Sequence, residues 1–311
     1  MATNSESQKP SYETFQLFSS NDENNNSGFG FFDAPKTPSV PLPPCTEVLS
    51  SEVSSSVKHS MESVNLDGIT LLKGRVKTQD VFGLSNSDLV PGKYEGGLKL
   101  WEGSLDLVKA LNSDIKHGVI SFVGKRVLEV GCGHGLPGIF ALQEGAVAVH
   151  FQDFNGEVLR CLTIPNLNAN LSKESRLSSS EIAICEKADV RFYAGDWSEI
   201  DGLFPHVSND MKDLGSSSGQ NQVVGYDFIL MAETVYSINS LQSLYTLIKK
   251  CLSYPDGVVY MAAKKYYFGV GGGSRRFLSI VEKDGVMISN LVAEIADGSS
   301  NVREIWKLSF K

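Results

Sequence analysis

The stretch that decides the fold is Arg126-Val127-Leu128-Glu129-Val130-Gly131-Cys132-Gly133-His134-Gly135-Leu136-Pro137-Gly138. Its first five residues read as a buried strand, and 136–144 as the helix that follows it. Glycines between a strand and a helix let the backbone turn tightly and approach a ligand closely. Outward from this loop, short apolar runs alternate with helical periods. Strands are expected at 148–152 (AVHFQ), 190–194 (VRFYA), 226–231 (YDFILM) and 258–262 (VVYMA). Helices are expected at 101–111, at 157–171 with an interruption at Pro165, and at 241–252 and 276–283. Strands that alternate with helices predict a parallel sheet built from right-handed crossovers. Two last strands, 286–295 and 302–310, flank Asp297-Gly298, a loop too short for a helix, so they must pair as an antiparallel hairpin. The expected fold is α/β, with seven mostly parallel strands, a C-terminal antiparallel hairpin and helices on both faces.

Composition divides the 311 residues unevenly. Residues 1–60 hold thirteen serines and six of the eleven prolines, with Asn24 to Asn26 and a proline-rich run from Pro35 to Pro44. Such a segment cannot bury enough apolar surface to offset its ordering entropy. The expected organisation is a disordered tail over 1–63 and one domain over 64–311, whose first part, 64–125, is an N-terminal arm. Within the arm, 68–76 (GITLLKGRV) reads as a strand, and two polar insertions, 172–188 and 201–225, read as surface loops. A net charge of −8 argues against a chain that coats nucleic acid, because phosphate neutralisation needs clustered Lys and Arg. No run approaches the roughly 20 apolar residues of a membrane span, and MATNSESQKP lacks the make-up of a secretory signal. Five scattered cysteines without a C-x-x-C pair predict a reduced intracellular protein, cytoplasmic or nuclear, with no metal site. A monomer is expected.

The glycine loop alone leaves the ligand open, since Gly133, Gly135 and Gly138 also satisfy the G-x-G-x-x-G of dinucleotide enzymes. Glu129, two residues before the first glycine, would repel a pyrophosphate, and a terminal hairpin is foreign to a doubly wound dinucleotide domain. Asp153 ends the second strand about twenty residues on, where a carboxylate accepts hydrogen bonds from ribose hydroxyls. Gly195-Asp196-Trp197 follows the third strand, an acid for an adenine amino group and a ring to lie along the base. Ribose, adenine and a cation without phosphate describe S-adenosylmethionine.

At this point the residues carry a resemblance. Glu129 to Gly135 resembles the first motif of the seven-β-strand, or class I, methyltransferases, which have a Rossmann-like fold. Four further runs are similar to one subgroup: Tyr94-Glu95-Gly96-Gly97-Leu98-Lys99-Leu100-Trp101-Glu102, Phe151-Gln152-Asp153-Phe154-Asn155, Glu233-Thr234-Val235-Tyr236 and Tyr267-Phe268-Gly269-Val270-Gly271-Gly272-Gly273. That subgroup is the eukaryotic histidine protein methyltransferases, and the similarity spans roughly residues 64–311. The resemblance implies S-adenosylmethionine as cofactor and a large-subunit ribosomal protein, basic in character, as the partner methylated at a histidine tele nitrogen. It implies that Trp101, Glu102, Gly103 and Ser104 begin a helix closing over the cofactor. Gly131 and Gly133 would pass under the methionine portion, with Glu129 near its ammonium. Gln152, Asp153 and Asn155 would hold the ribose and the neighbouring base edge, Gly195, Asp196 and Trp197 the adenine, and Ala232 would line the pocket.

Related protein methyltransferases carry an acid-x-x-Tyr motif after the fourth strand, here Glu233 to Tyr236, where adenine and glutamine methylases have Asn-Pro-Pro-Tyr. An imidazole, with a pKa near 6.5, is mostly neutral at pH 7 and needs tautomer control more than a strong base. Glu233 is therefore expected to accept the N–H of the non-reacting ring nitrogen, with Tyr236 positioning the ring. His134 reads as a variable loop side chain. The run Gly269 to Gly273 reads as a flexible substrate-side turn rimmed by Lys264, Lys265, Arg275 and Arg276, because no Gly-Lys-Ser/Thr follows it. A lysine methyltransferase of the same fold and a non-catalytic factor docking on a ribosomal protein remain as alternatives.

Overall fold

Val127 and Leu128 are neighbours in the chain but feed opposite hydrophobic cores, because side chains alternate across a strand. They lie on β4 (Arg126–Val130), which is sandwiched between β5 (Ala148–Asp153) and β7 (Phe228–Ala232). The computed structural model describes residues 42–54, 60–85, 87–174, 188–205, 207, 225–296, 298 and 301–311. Beyond β5 lies β6 (Asp189–Ala194), and beyond β7 lies β8 (Val258–Lys264); all five strands run parallel. Strands buried on both faces read as near-continuous apolar runs, which is why these five stand out in the sequence.

β9 (Met287–Ile295) and β10 (Arg303–Phe310) form the expected antiparallel hairpin. β10 inserts between β8 and β9, so the hairpin folds back onto the sheet. On one face, α2 (Glu102–Lys116), which follows the short α1 (Thr78–Phe82) in the chain, and α3 (Leu136–Gln143) cover the sheet through Leu107, Leu111, Ile139 and Phe140. On the other, α6 (Leu241–Cys251) and α7 (Ser274–Asp284) contribute Leu244, Ile248 and Phe277.

Two expectations need correction. The sheet has eight strands, in the order β1-β6-β5-β4-β7-β8-β10-β9, because β1 (Thr46–Val48) pairs antiparallel with the outer edge of β6. The domain accordingly starts before residue 64: Pro41–Lys311 form one compact unit. Within it, β2 (Ser60–Leu66) and β3 (Ile69–Arg75) make a separate two-stranded hairpin. The remainder of the expected tail, 1–41 and 55–59, and most of both expected insertions lie outside the described residues. Among the described residues no helix is long and apolar enough to cross a membrane, and no group of three His, Cys, Asp or Glu could hold a metal.

After β5 the chain runs through α4 (Gly156–Val158), a π-helical turn (Leu159–Thr163) and α5 (Ile164–Glu174). The interruption expected from Pro165, which has no N–H to give, takes the form of this wider turn rather than a break. α5 clamps the β2–β3 hairpin through two buried asparagines. Asn166 Oδ1 accepts the Gly74 N–H at 2.5 Å. Asn170 accepts the Leu72 N–H at 2.8 Å and donates to the Leu72 carbonyl at 2.7 Å. Asn170→Ala leaves both Leu72 backbone groups unpaired and is expected to cost about 1–3 kcal/mol. Thermal denaturation should show a lowered midpoint with an unchanged far-UV circular dichroism spectrum.

Candidate active site

The carboxyl ends of the parallel strands and the loops that follow them form one cleft of about 940 Å³, open mouth included. It sits where the chain order reverses around β4, the place where ligands enter open α/β sheets. Gly131 and Gly133 form its floor at φ +60° and +50°. A Cβ at Gly131 would lie 2.7 Å from Thr234 Cγ2, and one at Gly133 would lie 2.9 Å from the Gly97 carbonyl, so only glycine fits either position. From behind, the π-helical turn supports this loop: Thr163 Oγ1 donates to the Gly133 carbonyl at 2.6 Å. Glu129 belongs to that support rather than to the cleft. Its Oε2 accepts the Gly138 N–H at 2.7 Å, satisfying one of the unpaired amides in the first turn of α3. Burial, with the nearby Asp153 adding to it, pushes the Glu129 carboxyl well above the usual range.

The end of β5 divides its work among three side chains. Asp153 lines the cleft, accepting the Gly133 N–H and the Asn155 N–H, each at 3.0 Å. Burial pushes its carboxyl up to about 6, against the backbone hydrogen bonds, and Glu95 pushes it further the same way. Gln152 lies beneath the cleft surface as a brace. Its Oε1 accepts from Gly131 N–H (3.1 Å) and Trp197 Nε1 (2.9 Å), and its Nε2 donates to the Gly195 carbonyl (2.9 Å). Asn155 likewise acts outside the wall, accepting the Glu95 N–H at 3.1 Å and donating to the Lys93 carbonyl at 2.9 Å. It thereby holds the arm that carries Glu95, Gly96 and Gly97 over the cleft. Gly195, Asp196 and Trp197 do line it, with Asp196 Oδ1 accepting the Ser198 N–H at 2.9 Å.

On the far wall, Trp101 and Ser104 line the cleft at the start of α2. Trp101 Nε1 donates to the Gly96 carbonyl at 3.1 Å, and the Lys99 ammonium stands 4.4 Å from its ring centroid. Glu102 points elsewhere: Arg303 on β10 binds it at 2.8 Å and Asp106 at 2.6 Å, tying α2 to the sheet. Gly103 makes room for Glu233, since a Cβ there would lie 2.8 Å from Glu233 Oε1. Ala232, Glu233 and Tyr236 line the cleft. Glu233 adopts φ +59°, a strained backbone for a residue with a side chain. Burial raises its carboxyl above the ordinary value, opposed first by a hydrogen bond from Tyr267 and then by Lys264. The Tyr236 hydroxyl donates to Glu95, so it braces the arm besides forming the wall.

Glu95, Lys99, His134, Thr234 and Tyr267 are site residues that the sequence reading did not assign. All five sit in runs quoted for their resemblance, so a signal was present without a means of ranking single positions. Four buried polar atoms of cleft residues have no hydrogen-bond partner among the described residues: Ser104 Oγ, His134 Nδ1, Glu233 Oε1 and Thr234 Oγ1. Burial lowers the His134 ring to about 4, leaving it neutral. Buried polar groups are ordinarily paired, and four orphans around one cleft mark a polar ligand. The four acids Glu95, Asp153, Asp196 and Glu233 give that ligand a positive charge.

The chain is 38% identical over 228 residues to the histidine protein methyltransferase 1 homologue of Dictyostelium discoideum, covering 73% of this chain and 62% of that one. It is 34% identical over 281 residues to the histidine protein methyltransferase 1 homologue of Bos taurus, covering 85% of this chain and 70% of the relative. The chain belongs to the histidine protein methyltransferase family. It spans about three fifths of the length of the Dictyostelium relative. No model of a protein family matches the chain. A crystal structure of magnesium protoporphyrin IX methyltransferase from Synechocystis PCC 6803 with bound SAH superposes with a TM-score of 0.42 at 10% identity, covering 67% of this chain and 83% of that one.

Histidine protein methyltransferases are class I enzymes whose methyl donor is S-adenosylmethionine. The cleft fits that donor: Glu95 and Asp196 suit its sulfonium and ammonium, Asp153 its ribose hydroxyls, and the orphaned hydroxyls of Ser104 and Thr234 its remaining polar groups. Asp153 supplies a pH test. Its folded value, about 6, lies above the ordinary 3.8. In the ligand-free protein its contribution to stability is therefore fully present below pH 3.8 and lost as pH rises through 6. Ligand binding needs the ionised form and follows the opposite trend. Affinity for S-adenosylhomocysteine should be level above pH 7 and fall by up to about tenfold per unit below pH 6. Isothermal titration calorimetry from pH 5 to 8 measures this, and Asp153→Asn should bind weakly with no such slope.

Proposed function

We propose that this chain transfers a methyl group from S-adenosylmethionine to a histidine of a protein, through the tele nitrogen, and that the acceptor is a basic large-subunit ribosomal protein. The family carries the histidine part of this reading. The observation that carries the chemistry is Glu233: a buried carboxylate at φ +59° on the cleft wall, with Oε1 unpartnered among the described residues. The donor supplies an electrophilic methyl group when bound. Gly131, Gly133, Asp153, Asp196 and Trp197 would hold it, with Ser104 and Thr234 offering hydroxyls from the opposite wall.

Lysine, with a pKa near 10.4, costs about 4.6 kcal/mol to deprotonate at pH 7, and imidazole costs almost nothing. The chain's residues thus have little proton removal to perform before transfer. Glu233 accepts the N–H of the non-reacting ring nitrogen, exposes the lone pair of the other and stabilises the imidazolium as charge develops. Tyr236, its hydroxyl committed to Glu95, forms a fixed wall against which the ring lies. The acidic cleft and the net charge of −8 favour a basic partner. The protein would act as a monomer in the cytoplasm or nucleus.

The test uses the purified protein, methyl-labelled S-adenosylmethionine and extract from cells lacking it. After hydrolysis, label is expected in methylhistidine and should vanish with Asp153→Ala. Label in methyllysine would replace the histidine reading with the lysine one. Glu233→Gln should lower turnover by about a hundredfold or more with cofactor affinity nearly intact. Equal loss of both would remove Glu233 from the chemistry.

A further inference from the structure

The glycine run Tyr267 to Gly273, which no Gly-Lys-Ser/Thr follows, has a structural task of its own. Gly271 N–H donates to the Tyr267 carbonyl at 3.0 Å and Tyr267 N–H to the Gly272 carbonyl at 3.1 Å, closing a tight turn. Rather than the flexible turn expected, this segment is sewn to the acid-x-x-Tyr loop. Gly272 N–H donates to the Tyr236 carbonyl at 2.9 Å and Gly273 N–H to the Val235 carbonyl at 2.8 Å. The approach is backbone on backbone: a Cβ at Gly272 would lie 2.2 Å from the Val235 oxygen. Just beyond, Ser274 Oγ and Arg275 Nη2 each donate to the buried Glu304 at 2.5 Å, anchoring the far end.

Tyr266 and Phe268 point outward and are exposed, while Tyr267 between them turns in. Its hydroxyl accepts the Lys264 N–H at 3.2 Å, which leaves its own proton for Glu233 Oε2. Glu233 is restrained elsewhere too. Its N–H donates to the Ala262 carbonyl at 2.8 Å, and Oε1 lies against Gly103 without a hydrogen-bond partner among the described residues. A carboxylate gripped in this way has one orientation left.

We propose that Tyr267 is a positioning residue that fixes the Glu233 carboxylate and thereby decides which ring nitrogen of the acceptor histidine is methylated. The proposal rests on the reading that Glu233 accepts the ring N–H. An imidazole binds a carboxylate through one nitrogen and presents the other for reaction. A carboxylate free to swing would accept either N–H and yield both isomers.

The experiment compares wild type with Tyr267→Phe, using methyl-labelled S-adenosylmethionine and the same extract, and separates tele- from pros-methylhistidine after hydrolysis. Binding of S-adenosylhomocysteine within about twofold of wild type establishes that the variant is folded. Loss of one hydrogen bond to a charged group should lower turnover about ten- to hundredfold. The minor isomer should rise at least about fivefold as a share of product. The acid limb of the pH–rate profile should move to higher pH, because the missing donor had favoured the ionised carboxylate. Site-specific 3-fluorotyrosine at 267 keeps the shape with a stronger donor, so it should move that limb to lower pH. Methylhistidine from wild type with an unchanged isomer ratio and an unmoved limb in both variants would overturn the assignment of Tyr267 alone. Label in methyllysine from wild type would overturn that assignment together with the reading beneath it.

Discussion

The buried amide of Gln152 joins three segments of chain at the carboxyl edge of the sheet. It takes the N–H of Gly131 and the indole N–H of Trp197 on one oxygen and gives its own N–H to Gly195. The glycine loop after β4 and the loop after β6 are thus held at a fixed separation by one side chain at the end of β5. Everything facing the cleft inherits that spacing. A buried polar network of this kind is costly when incomplete and rigid when satisfied, so the floor is set before any ligand arrives.

The central strands are legible in the sequence because each is buried on both faces and needs no distant partner to be recognised as apolar. β1 is not. Three residues, Thr46-Glu47-Val48, carry no periodicity, and their strand state comes from pairing with Phe192, Tyr193 and Ala194 far along the chain. The same limit governs the site. Acids at strand ends could be counted, but their directions could not be read. Glu129 turns back to the Gly138 amide and Glu102 turns to Arg303, because each meets a donor there that a linear reading does not bring near. Likewise, the Glu233 motif and the glycine run are visible separately, and only the fold reveals them as one unit.

The cleft concentrates acids that the ligand-free protein accommodates poorly. Asp153 is buried with its carboxyl pushed up to about 6 by loss of solvent, and Glu233 is shifted the same way. Folding alone gains little from placing these groups together. A cationic ligand with hydroxyls to donate turns the same arrangement favourable, which is the usual exchange of stability for preorganisation.

β1 also determines what the molecule shows to other chains. The outer edge of β6 would otherwise present a row of unpaired amides and carbonyls beside Phe192 and Tyr193, an open template for strand addition. Thr46–Val48 occupies that edge, and Cys45 Sγ fills the space above Gly195 where a Cβ would stand only 2.3 Å away. A shortened version cut at the compositional boundary near residue 64 would therefore keep every cleft residue and lose its seal against self-association.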